Sequence, residues 1–135
     1  MDSISLKMPV TIKAKLTERL KKRIGDDLTQ KLQQVTMELQ QLDIEEKRVI
    51  QEQAQGNLQA LQAIRQHFGV ERQQREEFKA DAEQKLSDLK KLAIGAEIVQ
   101  GQLERQVELK VGDNLREMMN VEILVEDDKI IAIRG

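Results

Sequence analysis

A chain of 135 residues with 24 acidic and 22 basic side chains has a formal charge of -2, which gives no whole-protein bias towards nucleic acid or an anionic bilayer. Aromatic residues are 1% of it, Phe68 and Phe78 only, so any core is aliphatic and base- or sugar-stacking platforms lack raw material. Cysteine is absent, which excludes disulfides and thiolate chemistry, and no apolar run approaches the ~20 residues of a membrane span.

The first element is "ISLKMPVTIKAKL", in which Ile4, Leu6, Met8, Val10, Ile12, Ala14 and Leu16 alternate with mostly polar residues, the period of a half-buried strand. Pro9 cannot donate a ladder hydrogen bond, so this strand is expected to lie at a sheet edge or to bend there. After Thr17, a suitable N-cap, the period changes. Leu28, Leu32, Val35, Leu39, Leu42 and Val49 form a heptad seam in which Glu46 is the polar member. A second seam runs through Leu61, Ile64, Phe68, Glu71, Arg75, Phe78, Ala82, Lys85, Leu89 and Leu92. The two predict an antiparallel coiled-coil hairpin over residues 17–95, reversing near 55–58, where Gly56-Asn57 is the best turn dipeptide. Gly69 is the rival turn, but it would leave arms of unequal length. Lys90 and Lys91 suit the last turn of the returning helix, and Gly95 a left-handed cap beyond it.

From Glu97 the period returns to two. Val107, Leu109 and Val111 alternate with charged residues, "VGDN" makes a turn, and "VEILVEDDKIIAIR" reads as a hairpin with Asp127-Asp128 at its tip. The expected fold is α+β: a long antiparallel coiled-coil hairpin inserted in a small antiparallel β-domain built from residues 1–16 and 96–135. On that reading residues 12 and 109 lie in neighbouring strands and within ~15 Å of each other.

These elements are similar to those of the YlqD family of small bacterial proteins. The resemblance rests on "LKKLAIGAEIVQG", "VELKVGDN" and "ILVEDDKIIAIR", with an N-terminal strand and a Gln- and Glu-rich helical middle. Asp127-Asp128 stands where the family commonly has an Asp-Gly turn. The resemblance implies the fold and carries no activity with it.

Enzyme chemistry finds no foothold. His67 is the single histidine and sits among solvated helix positions, adjacent carboxylates such as Asp26-Asp27 and Glu45-Glu46 point apart on a helix, and no phosphate-binding or nucleophile-elbow motif is present. The helical tip holds one acidic residue, Glu52, too few for a metal. No catalytic, cofactor or metal-binding residue is therefore expected, and a soluble cytoplasmic protein is the default, because Met1 to Lys15 has no basic-then-apolar leader. Charge is segregated: residues 1–25 hold seven cations against Asp2 and Glu18, a local +5, whereas residues 101–135 hold eight acids and five bases, a local -3. Lys15, Arg19, Lys21, Lys22, Arg23, Lys90 and Lys91 form the candidate basic patch, with Asp26, Asp27 and Asp88 available to neutralise it. The leading expectation is a non-enzymatic interaction or scaffold module with an unidentified protein partner, the hairpin serving as docking arm or spacer. The alternatives are a nucleic-acid or ribonucleoprotein accessory that binds phosphate through the basic patch, and a structural oligomerisation module, since Ile44, Ile50 and Leu58 fall outside the main seams.

Overall fold

In the computed structural model, which describes residues 1–135, the alternation at the start of the chain becomes a 13-residue strand, β1 (Ser3–Lys15). Its neighbours are β2 (Glu97–Lys110), antiparallel, and β3 (Glu122–Glu126), parallel; β4 (Lys129–Arg134) closes the order β2-β1-β3-β4. Two expectations change here. The sheet is mixed rather than antiparallel, because after β2 the chain crosses β1 before it descends as β3. And β1 is an interior strand, not an edge strand.

Pro9 is tolerated there for a reason visible in the register. Even-numbered residues of β1 turn their backbone groups to β2, as the bond from Val111 N–H to Asp2 C=O (3.0 Å) shows. Odd-numbered residues turn the other way, as the bond from Thr11 N–H to Val121 C=O (3.1 Å) shows. Pro9 belongs to the odd set, and β3 begins only opposite Thr11, so no ladder bond is lost. The register also revises the expected 12–109 proximity. Ile4, not Ile12, pairs with Leu109, and Ile12 lies opposite Gly101.

Two units are resolved: Met1–Lys22 with Leu92–Gly135, and Arg23–Lys91. In the first, Met8, Val10, Ala14 and Val107 are buried on the apolar face of the sheet, and Leu16 and Leu20 are also buried. Thr17 caps the helix that follows, accepting from Leu20 N–H (3.1 Å), while its hydroxyl donates to Asp127 Oδ1 (2.9 Å) in the β3–β4 turn. That turn has φ of 45° at Asp127 and 69° at Asp128, the left-handed pair a two-residue hairpin requires. Between β2 and β3 stands a short helix absent from the sequence reading, α3 (Leu115–Met119). Asn114 caps it by accepting from Glu117 N–H (3.2 Å), and Arg105 of β2 donates to Met118 C=O (3.2 Å). "NLRE" is a short polar cap signal that the strand periodicities on either side overshadow.

The long helices are α1 (Glu18–Gln53) and α2 (Leu58–Lys91), joined by a turn in which Asn57 N–H bonds to Ala54 C=O (3.1 Å) and Gly56 has φ 74°. Glycine suits that position because only it enters the left-handed region without strain. Within Arg23–Lys91, Val35, Leu42, Phe68, Ala82 and Leu89 are buried and Leu28, Leu32, Leu39, Leu61 and Ile64 half-buried, so the seam residues do face inward. α2 runs unbroken through Gly69. Towards its end Phe78 and Lys85 are exposed and Leu86 takes an inward place, because a helix of 3.6 residues per turn drifts away from a seven-residue repeat. Gly95, with φ 95°, sits in an Ala93–Ala96 turn leading into β2 and is not the cap of α2.

Candidate functional site

The seven candidate cations do not form one set. Lys15 ends β1 opposite Glu97. Lys21 is half-buried: its ammonium donates to Leu92 C=O (2.8 Å), just past the end of α2, where the macrodipole favours a cation. Arg19, Lys22 and Arg23 are exposed and share one face of α1 by helical phase, and no ion pair forms at any of them. Lys90 and Lys91 are exposed at the end of α2, and Lys90 has an interaction partner. The three acids expected to neutralise the patch are otherwise placed. Asp27 pairs with Lys31 (3.0 Å), Asp88 accepts from Gln84 (2.9 Å), and Asp26 reaches none of the cations.

The polar seam residues are satisfied mainly by one another. Arg75 donates to Glu71 (2.7 Å) on its own helix and approaches Glu38 at 3.3 Å across the hairpin. The hydrogen bond from Arg75 holds the Glu71 carboxyl below its ordinary range. Arg72, outside the predicted seam, pairs with Asp43 (3.0 Å) and with Glu46. A groove of about 400 Å³ lies beside this cluster, with Val35 and the half-exposed Phe78 in its lining. His67 is exposed and packs edge-on against Phe68. No group of three or more His, Asp or Glu side chains is arranged to hold a metal ion, and no helix is long and apolar enough to cross a membrane.

The sheet contributes a different kind of surface. Ile123 and Val125 of β3 stand opposite Ile133 and Ile130 of β4, and on β4 the isoleucines are largely open: Ile130 62%, Ile131 45% and Ile133 71% exposed. On the polar side, Arg134 pairs with Glu97 and approaches Glu122 at 3.7 Å.

A family model described as YlqD protein matches residues 4–134, nearly the whole chain. The chain belongs to the YlqD family. Among solved structures, this YlqD-family chain is similar to a protein of unknown function from Synechococcus sp. WH 8102, with 28% identity, a TM-score of 0.88 and full coverage of both chains. No curated protein matches.

Proposed function

We propose that this chain is a cytoplasmic, non-enzymatic interaction module whose helical hairpin serves as docking arm or spacer. The observation that carries this reading is large aliphatic side chains left in solvent on each unit: Ile44 (70% exposed) and Leu58 (68%) on the helices, Ile130 and Ile133 on the sheet. Ile50, by contrast, is half-buried. Charged groups meanwhile pair with one another along helices and strands, including Arg75 with Glu71 in the lining of the helical groove, which suits recognition by surface. The test is cross-linking capture from source-cell lysate with nuclease present, using the native chain and an I44E/L58E variant. A partner retained by the first and lost by the second is the expected result; equal recovery with both, or none with either, sinks the docking-arm reading.

A second reading, contact with nucleic-acid phosphate, is favoured by Arg19, Lys22 and Arg23 standing without ion-pair partners. Those three contacts alone would make single-strand binding fall with salt at a log-log slope of about -2. Absence of RNA or DNA binding at low salt by micromolar protein eliminates it.

A further inference from the structure

The sheet has two edges, and they are built differently. β2 alternates Gln102, Glu104, Gln106 and Glu108 and carries an irregularity where Ile12 and Lys13 pair with Gly101 and Val99, both features that discourage strand addition. β4 also carries an irregularity, at Ile131, but its middle presents no charged or amide side chain: Lys129-Ile130-Ile131-Ala132-Ile133-Arg134 contains no proline, and its three isoleucines are between 45% and 71% exposed. We infer that the β4 edge binds a second copy of this chain, β4 against β4, joining two sheets into one.

The case for a second copy, over an unrelated strand, is that β4 is complementary to itself. Its pairing with β3 skips Ile131, and that extra residue puts Ile130 and Ile133, three positions apart, on the same apolar face as Val125 and Ile123. An antiparallel twofold between Ile131 and Ala132 therefore sets Ile130 of each copy against Ile133 of the other, and the aliphatic surface of β3 and β4 becomes continuous across the junction. The same register brings Lys129 beside Arg134 of the other copy on the polar face. Arg134 sits with Glu97 and Glu122, and Lys13 also holds Glu122 (2.8 Å), so this polar cluster is charge-balanced before Lys129 arrives and the self-pairing rests on the isoleucines. A six-residue strand is about 20 Å long, which places the contact at the small end of interface sizes, among weak and transient pairs.

This inference rests on the interaction-module reading and commits it to one partner. Sedimentation of the full chain from about 1 to 200 µM, a range set by that interface class, is expected to show the mass rise from 15.5 kDa towards twice that value. An I130K/I133K variant, altered only at exposed positions, should stay monomeric with an unchanged circular dichroism spectrum. Because the chain has no cysteine, I131C and A132C proteins can also be mixed and oxidised; the mixed disulfide should outrun either symmetric one. A native chain that remains monomeric throughout, a variant that dimerises as well as native, or disulfides formed at equal rates would overturn the proposal. A monomer that still captures a partner through Ile44 and Leu58 would overturn it while leaving the interaction-module reading intact.

Discussion

Asp128 holds a backbone angle, φ 69°, that a side chain disfavours and glycine accepts freely. Asp128→Gly should therefore raise stability by about 0.5–1 kcal/mol, read as a higher urea midpoint, because its side chain makes no hydrogen bond that would be lost. Asp127→Gly should gain less or lose stability, since Asp127 accepts from Thr17. Glu97 gives a pH prediction. The hydrogen bond from Arg134 lowers its carboxyl below the ordinary 4.5, outweighing desolvation. A depressed folded value means the ionised carboxylate stabilises the fold above pH 4.5 and that this is lost as pH falls through the lowered value. Glu97→Gln should flatten the acid limb of a stability-pH profile; an unchanged limb would refute the linkage. At this scale the sequence is partly legible. Thr17 and Asp127-Asp128 announce cap and turn by their own chemistry, but Lys21 gives no hint of Leu92 as its acceptor, because only the folded backbone brings that carbonyl near.

Among elements, the two phenylalanines of α2 make a controlled pair. Phe68 is 7% exposed and Phe78 47%, although both occupy predicted seam positions. Phe68→Ala should cost about 3 kcal/mol or more and Phe78→Ala less than half of that, compared by urea unfolding followed at the helical signal. Equal costs would mean that Phe78 is covered in solution. Both helices are legible because a long apolar period accumulates over many turns, and their inward residues follow from it. The drift from Phe78 to Leu86 is not, since a repeat read from letters assumes a constant phase. α3 escapes the same method: five residues are too few to show a period, leaving only the Asn114–Glu117 cap as a clue.

For the whole molecule, the decisive relation is which strand neighbours which, and at what offset. Cysteines placed at Ile4 and Leu109 should oxidise to a disulfide in the folded chain, because directly paired strand residues lie about 5.5 Å apart. Cysteines at Ile12 and Leu109 should not, being offset along the strand by about 27 Å at 3.4 Å per residue. The reverse outcome would refute the β1–β2 register. That both termini share a sheet follows from hairpin geometry, which is why the α+β class can be read from residues alone. The parallel β1–β3 pairing cannot be read that way, because strand order depends on where the segment from Val111 to Val121 crosses, and no local pattern encodes the crossing.

The pairing of Ile4 with Leu109 also sets an order of events during synthesis. β1 emerges before α1 and α2, yet β2 and β3 do not exist until both long helices have been made. Its aliphatic face must wait while α1 and α2, whose contacts are local in sequence, form on the microsecond timescale of helices. Once they have formed, the link between Lys15 and Glu97 is no longer a long coil, and the entropy of closing it is largely spent. The helices thus act as the clock of sheet assembly. A substitution that loosens them, such as Phe68→Ala, would delay β1 in finding β2 and prolong the interval in which a nascent strand can aggregate.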